Sequence, residues 1–186
     1  MFGFPPLPPF EGMHPIIVHF PIAILMIAWL PILLALADKK RRNHWILSAF
    51  FLLVLGTLFS FGAVLTGEAT EDVVDKGSQL LEQAVHQHEE TAEMARNIFI
   101  ALTLLSAAVL FVRAKASKAK KKTATTIGGV FVAALYIFGI MTLANASHQG
   151  GVLVHDLGIH APVGTFDPAT LESSSESHDD DDDDDD

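Results

Sequence analysis

The sequence predicts an all-α protein: a bundle of four transmembrane helices whose third helix extends outside the membrane, followed by a disordered acidic C-terminal tail. Three observations predict it. Four apolar stretches each approach the length of a bilayer crossing. Two short connections hold nearly all of the positive charge. The histidines gather on the opposite side of the chain's implied path through the membrane. Half of the 186 residues are apolar, more than a soluble domain of this length needs, so the excess points to lipid as solvent.

The four stretches run from about 15 to 37, 45 to 66, 94 to 112 and 123 to 146. Each is close to the roughly 20 residues that cross a ~30 Å hydrocarbon core. In that core no water satisfies the backbone, so spans of this length must be helical. The first contains Pro21 and Pro31. Each proline frees the carbonyl four residues earlier, on Ile17 and Ile27, which reads either as a packing kink or as an opening of the helix around His19 to form a pocket. Residues 1–12, rich in Pro and Phe and without Lys or Arg, read as an irregular lead-in and not as a secretory signal. Residues 13–165 form the membrane domain, and 166–186 the tail.

Lys39, Lys40, Arg41 and Arg42 fill the first connection. Arg113, Lys115, Lys118, Lys120, Lys121 and Lys122 fill the third. Together these are ten of the twelve basic residues. The positive-inside rule makes both connections cytoplasmic and sets both termini outside, on the side that in a bacterial inner membrane would be the periplasm. Of the acids, Asp38 alone falls on the inner side. The second connection is not a plain loop. From Ser78 to Glu93 it holds strong helix formers without Gly or Pro, and Ser78 suits a helix N-cap, so one long helix is expected from about Ser78 to Val112. The formal charge of −10 belongs to the tail, where Glu172, Glu176 and Asp179 to Asp186 supply ten acids; the rest of the chain is balanced. The tail's composition reads as disorder, and its charge either keeps that end solvated or steers a basic partner.

Seven of the nine histidines map to the outer side: His14, His19, His86, His88, His148, His155 and His160. Neutral imidazole ligates transition metals and haem iron, and helical bundles build such sites from facing helices. His14, His19, His88, His148 and His155 are the candidate cofactor and metal ligands. His86 diverges from His88 by about 200° on a helix and is expected in solvent. His14 and His19 serve one site only if His14 lies outside the helix that carries His19. Glu68 and Glu89 are candidate supporting groups, either orienting an imidazole, relaying protons or facing water. Gly150 and Gly151, between His148 and His155, let the chain turn back sharply or let a flat ligand approach the backbone. Small residues recur within the helices, as at Gly56, Gly128 and Gly139, and are ascribed to close helix packing.

The run His14-Pro15-Ile-Ile-Val18-His19-Phe20-Pro21 resembles the HPxxVHFP opening of the DUF2231 family of small bacterial membrane proteins. Thr66-Gly67-Glu-Ala69, His88-Glu89 with Ala92, and His148-x-Gly150-Gly151-x-Leu153-Val154 follow in the family's order. The resemblance spans about residues 13 to 160. It implies a four-helix membrane domain and, because relatives are joined to c-type cytochrome domains, a redox setting with a haem- or metal-binding role for His14, His19, His88 and His148. Many relatives have tyrosine where this chain has His155.

The expected function is that of a membrane redox protein. It holds one or two b-type haems, with copper or iron as the alternative, and passes electrons between a quinol pool and an external acceptor. One of His14 or His19 would pair with His88, and His148 or His155 would complete a second site. Electron transfer or service as a complex subunit is expected in preference to stand-alone catalysis. The partners expected besides membrane lipid are a c-type cytochrome or respiratory-complex subunits. The chain has no cysteine, so any c-type haem must sit on another chain. Two competing readings are a metal-handling protein and a non-catalytic anchor or assembly subunit. The spans hold almost no carboxylates, which counts against a cation path. No nucleophile–base triad, phosphate loop or nucleotide fingerprint is present, and no nucleic acid partner is expected.

Overall fold

The computed structural model describes residues 7–73, 77–115 and 117–160. Among these the chain is helical, without a strand. Six α-helices follow a single 3₁₀ turn at Phe10–Gly12: α1 (His14–Ile17), α2 (His19–Ile27), α3 (Leu30–Ala37), α4 (Arg42–Val73), α5 (Gln79–Lys115) and α6 (Lys118–His155). Four crossings result, because α1 to α3 together make one apolar rod and α4, α5 and α6 one each. The acidic tail and residues 161–165 of the membrane domain lie outside the described residues.

The first crossing is broken twice, each time just ahead of a proline. The break at Val18 precedes Pro21, and the break at Ala28 and Trp29 precedes Pro31. A freed carbonyl in lipid needs a partner. At the second break the hydroxyl of Tyr136 on α6 donates to the Leu25 carbonyl at 2.6 Å, and Ala28 N–H closes a tighter turn onto the same oxygen at 3.4 Å. Asp38 then ends α3, and its carboxylate accepts the N–H groups of Lys40 and Arg41 at 3.1 Å, turning the chain into α4.

The other helices overrun the apolar stretches that announced them. At 32 residues α4 is about 48 Å long, well beyond a ~30 Å core. Helix α5 begins as its sequence predicts: Ser78 Oγ accepts the Leu81 N–H at 3.3 Å, and the helix continues unbroken to Lys115. Lys118 to Lys122, whose charge suggested a loop, form the first turns of α6. The helix also runs straight through Gly150 and Gly151. The sharp turn comes later, at Gly158, where φ is +70° and the Ile159 N–H returns to the Leu153 carbonyl at 2.9 Å. Two glycines cost a helix about 1 kcal/mol each. That is less than the cost of leaving backbone groups unpaired near lipid.

The core sits midway along the bundle, where Leu25, Ala28, Leu53, Phe99, Leu102 and Tyr136 meet. Gly56 lets α4 approach α2 here, since a Cβ at that position would fall 2.6 Å from Leu25 Cγ. The Thr57 and Thr103 hydroxyls join α4 to α5 at 3.0 Å, a polar link of the kind that holds membrane helices together. Outward-facing Phe51, Leu58, Leu104, Phe111, Phe131, Ile137 and Met141 give the bundle an apolar belt. Arg113 Nη2 donates to Asn43 Oδ1 at 2.6 Å, so the two basic connections share one end of the bundle. The opposite end, termed outer here, carries the start of α1 and the α4–α5 connection.

Candidate functional site: a paired imidazole at an apolar cavity

The outer half of the bundle encloses a cavity of about 470 Å³ to which all four crossings contribute. Its walls are mainly apolar, including Val18, Ile22, Leu25, Val64, Phe99 and Leu143. A volume in the range of about 300–1,000 Å³ with few polar groups is typical of a site for a small organic ligand. The most exposed lining residues are Pro15, His19, Glu68, Ser147, Val154 and His155, five of them on the first crossing and α6. The mouth therefore opens between the first crossing and α6, two elements that touch each other only lightly, and α5 forms the back wall.

Two histidines face each other in this cavity. His14, the first residue of α1, and His88, on α5, have ring centroids 6.4 Å apart and planes at 81°. Both rings are fixed in the same manner. His14 Nδ1 lies 2.9 Å from the Ala63 carbonyl on α4, and His88 Nδ1 lies 3.0 Å from the Ala146 carbonyl on α6. A carbonyl only accepts, so each Nδ1 carries the hydrogen and each Nε2 keeps its lone pair. That is the tautomer a metal ligand requires. The Thr66 hydroxyl adds to the first half-site, standing 3.4 Å from His14 Nδ1 while donating to the Gly62 carbonyl at 2.8 Å.

Each accepting carbonyl is followed four residues later by glycine: Ala63 by Gly67, and Ala146 by Gly150. The side chain one turn on would cover the carbonyl that the imidazole must reach. A Cβ at Gly67 would lie 3.1 Å from His14 Cε1, and one at Gly150 would lie 3.1 Å from His88 Cε1. Both are tighter than an ordinary contact. Alanine followed four positions on by glycine, on α4 and again on α6, is thus the seat of an imidazole. Gly150 was a candidate from the sequence. Ala63, Thr66, Gly67 and Ala146 were not assigned to the site, although the two Ala-x-x-x-Gly segments are visible in the chain.

The remaining candidates stand apart from the His14–His88 pair. His19 is exposed at the mouth, with Nδ1 2.5 Å from the Pro15 carbonyl of its own segment. The break at Val18 places His14 and His19 on different helices, and His14 is the one that meets His88. His155 ends α6 at the mouth, and His148 is exposed and does not line the cavity. His86 is exposed and interacts with Glu89 at 3.6 Å and Glu90 at 3.4 Å, consistent with its expected place in solvent. Glu68 and Glu89 line the cavity, but neither orients His14 or His88, whose Nδ1 atoms engage backbone. Gly151 lines the cavity with open space beside it. Among the described residues, no three His, Cys, Asp or Glu side chains converge as a metal site.

The fold and site together define a four-helix membrane protein with a cavity between its helices and a matched pair of histidines across it. The family model described as "Predicted membrane protein (DUF2231)" matches residues 11–163, and the chain belongs to that family. No curated protein and no solved structure matches it.

Proposed function

We propose that this chain is a b-type haem protein of the membrane, in which His14 and His88 would hold the haem iron. The observation that carries the reading is the 6.4 Å separation of the two ring centroids. Two rings at that spacing, each with Nδ1 already engaged, would both be able to reach one metal ion between them through Nε2, by bonds of about 2.0–2.1 Å. The rest of the site fits the same group. A bare divalent ion asks for three or four protein ligands, whereas a porphyrin supplies four nitrogens and asks the protein for two. The apolar walls suit the macrocycle, and both imidazoles already hold the ligating tautomer.

Haem bound in this way would supply one-electron transfer, since two imidazoles leave no open position for substrate chemistry. The residues of the chain supply position and access. Ala63 and Ala146 fix the rings through their carbonyls. Phe99, Leu25 and Leu143 exclude water from the inner half. A mouth on the flank of the bundle, between α1, α2 and α6, supports a lipid-borne quinol as the donor, and an outer end beyond the membrane would suit an external acceptor such as a c-type cytochrome. The charge of the two connections supports an outer end facing the periplasm.

The test is haem content and turnover in one preparation. Protein purified in mild detergent from haem-replete cells should carry haem b near one per chain, be reduced by a short-chain quinol, and be reoxidised by a soluble c-type cytochrome. A preparation without haem would end the proposal. A haem-loaded preparation that no quinol reduces would end its donor half.

A further inference from the structure

We propose that the quinol docks in the mouth between the first crossing and α6, with a ring hydroxyl donating to His19 Nε2. The inference rests on the quinol-donor reading above and adds the place of the donor and the residue that recognises it.

His19 lies one turn inside the first apolar stretch, which holds no Asp, Glu, Lys or Arg and no other histidine. A titratable side chain within a span is costly and usually functional. The residue is exposed, and it lines the cavity together with Pro15 and Ile22, its neighbours one turn away on either side. Ile16 and Phe20, which do not line the cavity, are each 45% exposed. His19 therefore stands where the outer apolar surface of the crossing meets the cavity.

Its hydrogen-bonding state is set. Nδ1 lies 2.5 Å from the Pro15 carbonyl, which only accepts, so in the neutral ring Nδ1 carries the hydrogen and Nε2 keeps a lone pair. Among the described residues nothing donates to that lone pair. The bond to Pro15 stays within one turn of the same segment, so it orients the ring without tying two crossings together.

The opposite lip is α6. Ser147, Gly151 and Val154, spaced by four and three residues, follow one stripe of that helix, and all three line the cavity. Ser147 Oγ donates to the Leu143 carbonyl at 2.9 Å, and Gly151 has open space where a side chain would stand. The result is a slot with bare backbone on one lip and a fixed acceptor on the other. It suits a flat ring that carries a hydroxyl donor, with the apolar walls taking the ring and His19 setting its orientation.

The experiment uses full-length protein in detergent and a quinol mimic that does not reduce it, heptyl-hydroxyquinoline N-oxide, whose fluorescence is quenched on binding. Its methyl ether, which has no hydroxyl to donate, is titrated beside it. Wild type should bind the hydroxyl compound more tightly than the ether by roughly three- to tenfold, as expected for one neutral hydrogen bond, and a short-chain quinol should displace it. His19→Phe keeps a ring but offers no lone pair, and should remove the preference. His19→Gln, whose amide oxygen accepts, should keep part of it. No binding of the mimic by wild type, or equal binding of both compounds, would overturn the assignment. So would an unchanged preference in His19→Phe, which would place hydroxyl recognition on another group at the mouth, such as Glu68. Failure of the haem reading is separately visible: a preparation without haem that still showed the His19-dependent preference would support the docking site while ending the electron-transfer role.

Discussion

His14 and Gly67 form one half of a construction that His88 and Gly150 repeat. In each, an imidazole from one helix rests where a neighbouring helix has no side chain, and its Nδ1 reaches the carbonyl one turn earlier. The two rings, carried on separate crossings, are thereby held at a fixed distance and a near-right angle.

The glycines should be the most sensitive small positions of the site. Gly67→Val and Gly150→Val should displace the imidazole from its carbonyl and lower haem affinity by roughly tenfold or more, in line with an overpacking cost of about 1–3 kcal/mol. Gly129→Ala, away from the cavity and with nothing within 4 Å of the added carbon, should leave affinity unchanged. Haem titration of the three variants side by side checks this.

The exposed histidines should be dispensable for ligation. His148→Ala and His19→Ala are expected to retain the full low-spin absorption of wild type, because neither ring joins the His14–His88 pair. Loss of that absorption in either variant, with helix content intact by circular dichroism, would mean that the paired rings are not the ligands.

The ring planes themselves are open to measurement. Perpendicular imidazoles leave the two iron dπ orbitals nearly degenerate, so the ferric protein should give a strongly anisotropic low-spin EPR signal. With planes at 81°, a compact rhombic signal of the kind parallel rings produce is not expected.

Two further substitutions test the frame. Tyr136→Phe removes the shorter of the two bonds to the Leu25 carbonyl at the second break of the first crossing, and should cost about 0.5–1.5 kcal/mol because the Ala28 N–H remains on that oxygen. Gly56→Leu should destabilise more severely, since even a single added carbon meets Leu25 at 2.6 Å. Gly129→Ala, with open space around it, should be neutral. Unfolding in denaturing detergent, followed by circular dichroism, ranks the three.

Much of the frame is legible in the sequence because hydropathy, loop charge and capping are local. The four crossings, the shared end of the basic connections and the Ser78 start of α5 all follow from such signals. The choice of His14 over His19 is not local. It depends on the break at Val18 and on α4 presenting a bare carbonyl above Gly67. The path of α6 was hidden for a different reason: paired glycines read as a turn, but near lipid the backbone keeps its helical hydrogen bonds, and Gly150 serves instead as the floor beneath His88. The Ala-x-x-x-Gly spacing on α4 and α6 was the available clue, and its meaning emerges only when a ring is seen resting on each.

The most direct test of the central claim is a reduced-minus-oxidised visible spectrum of the purified wild type, His14→Ala and His88→Ala. Wild type should show the sharp bands of low-spin haem b, and each variant should lose them while keeping its helix content. A wild type that stays colourless after expression with ample haem, or a His88→Ala protein whose low-spin bands are undiminished, would contradict the account.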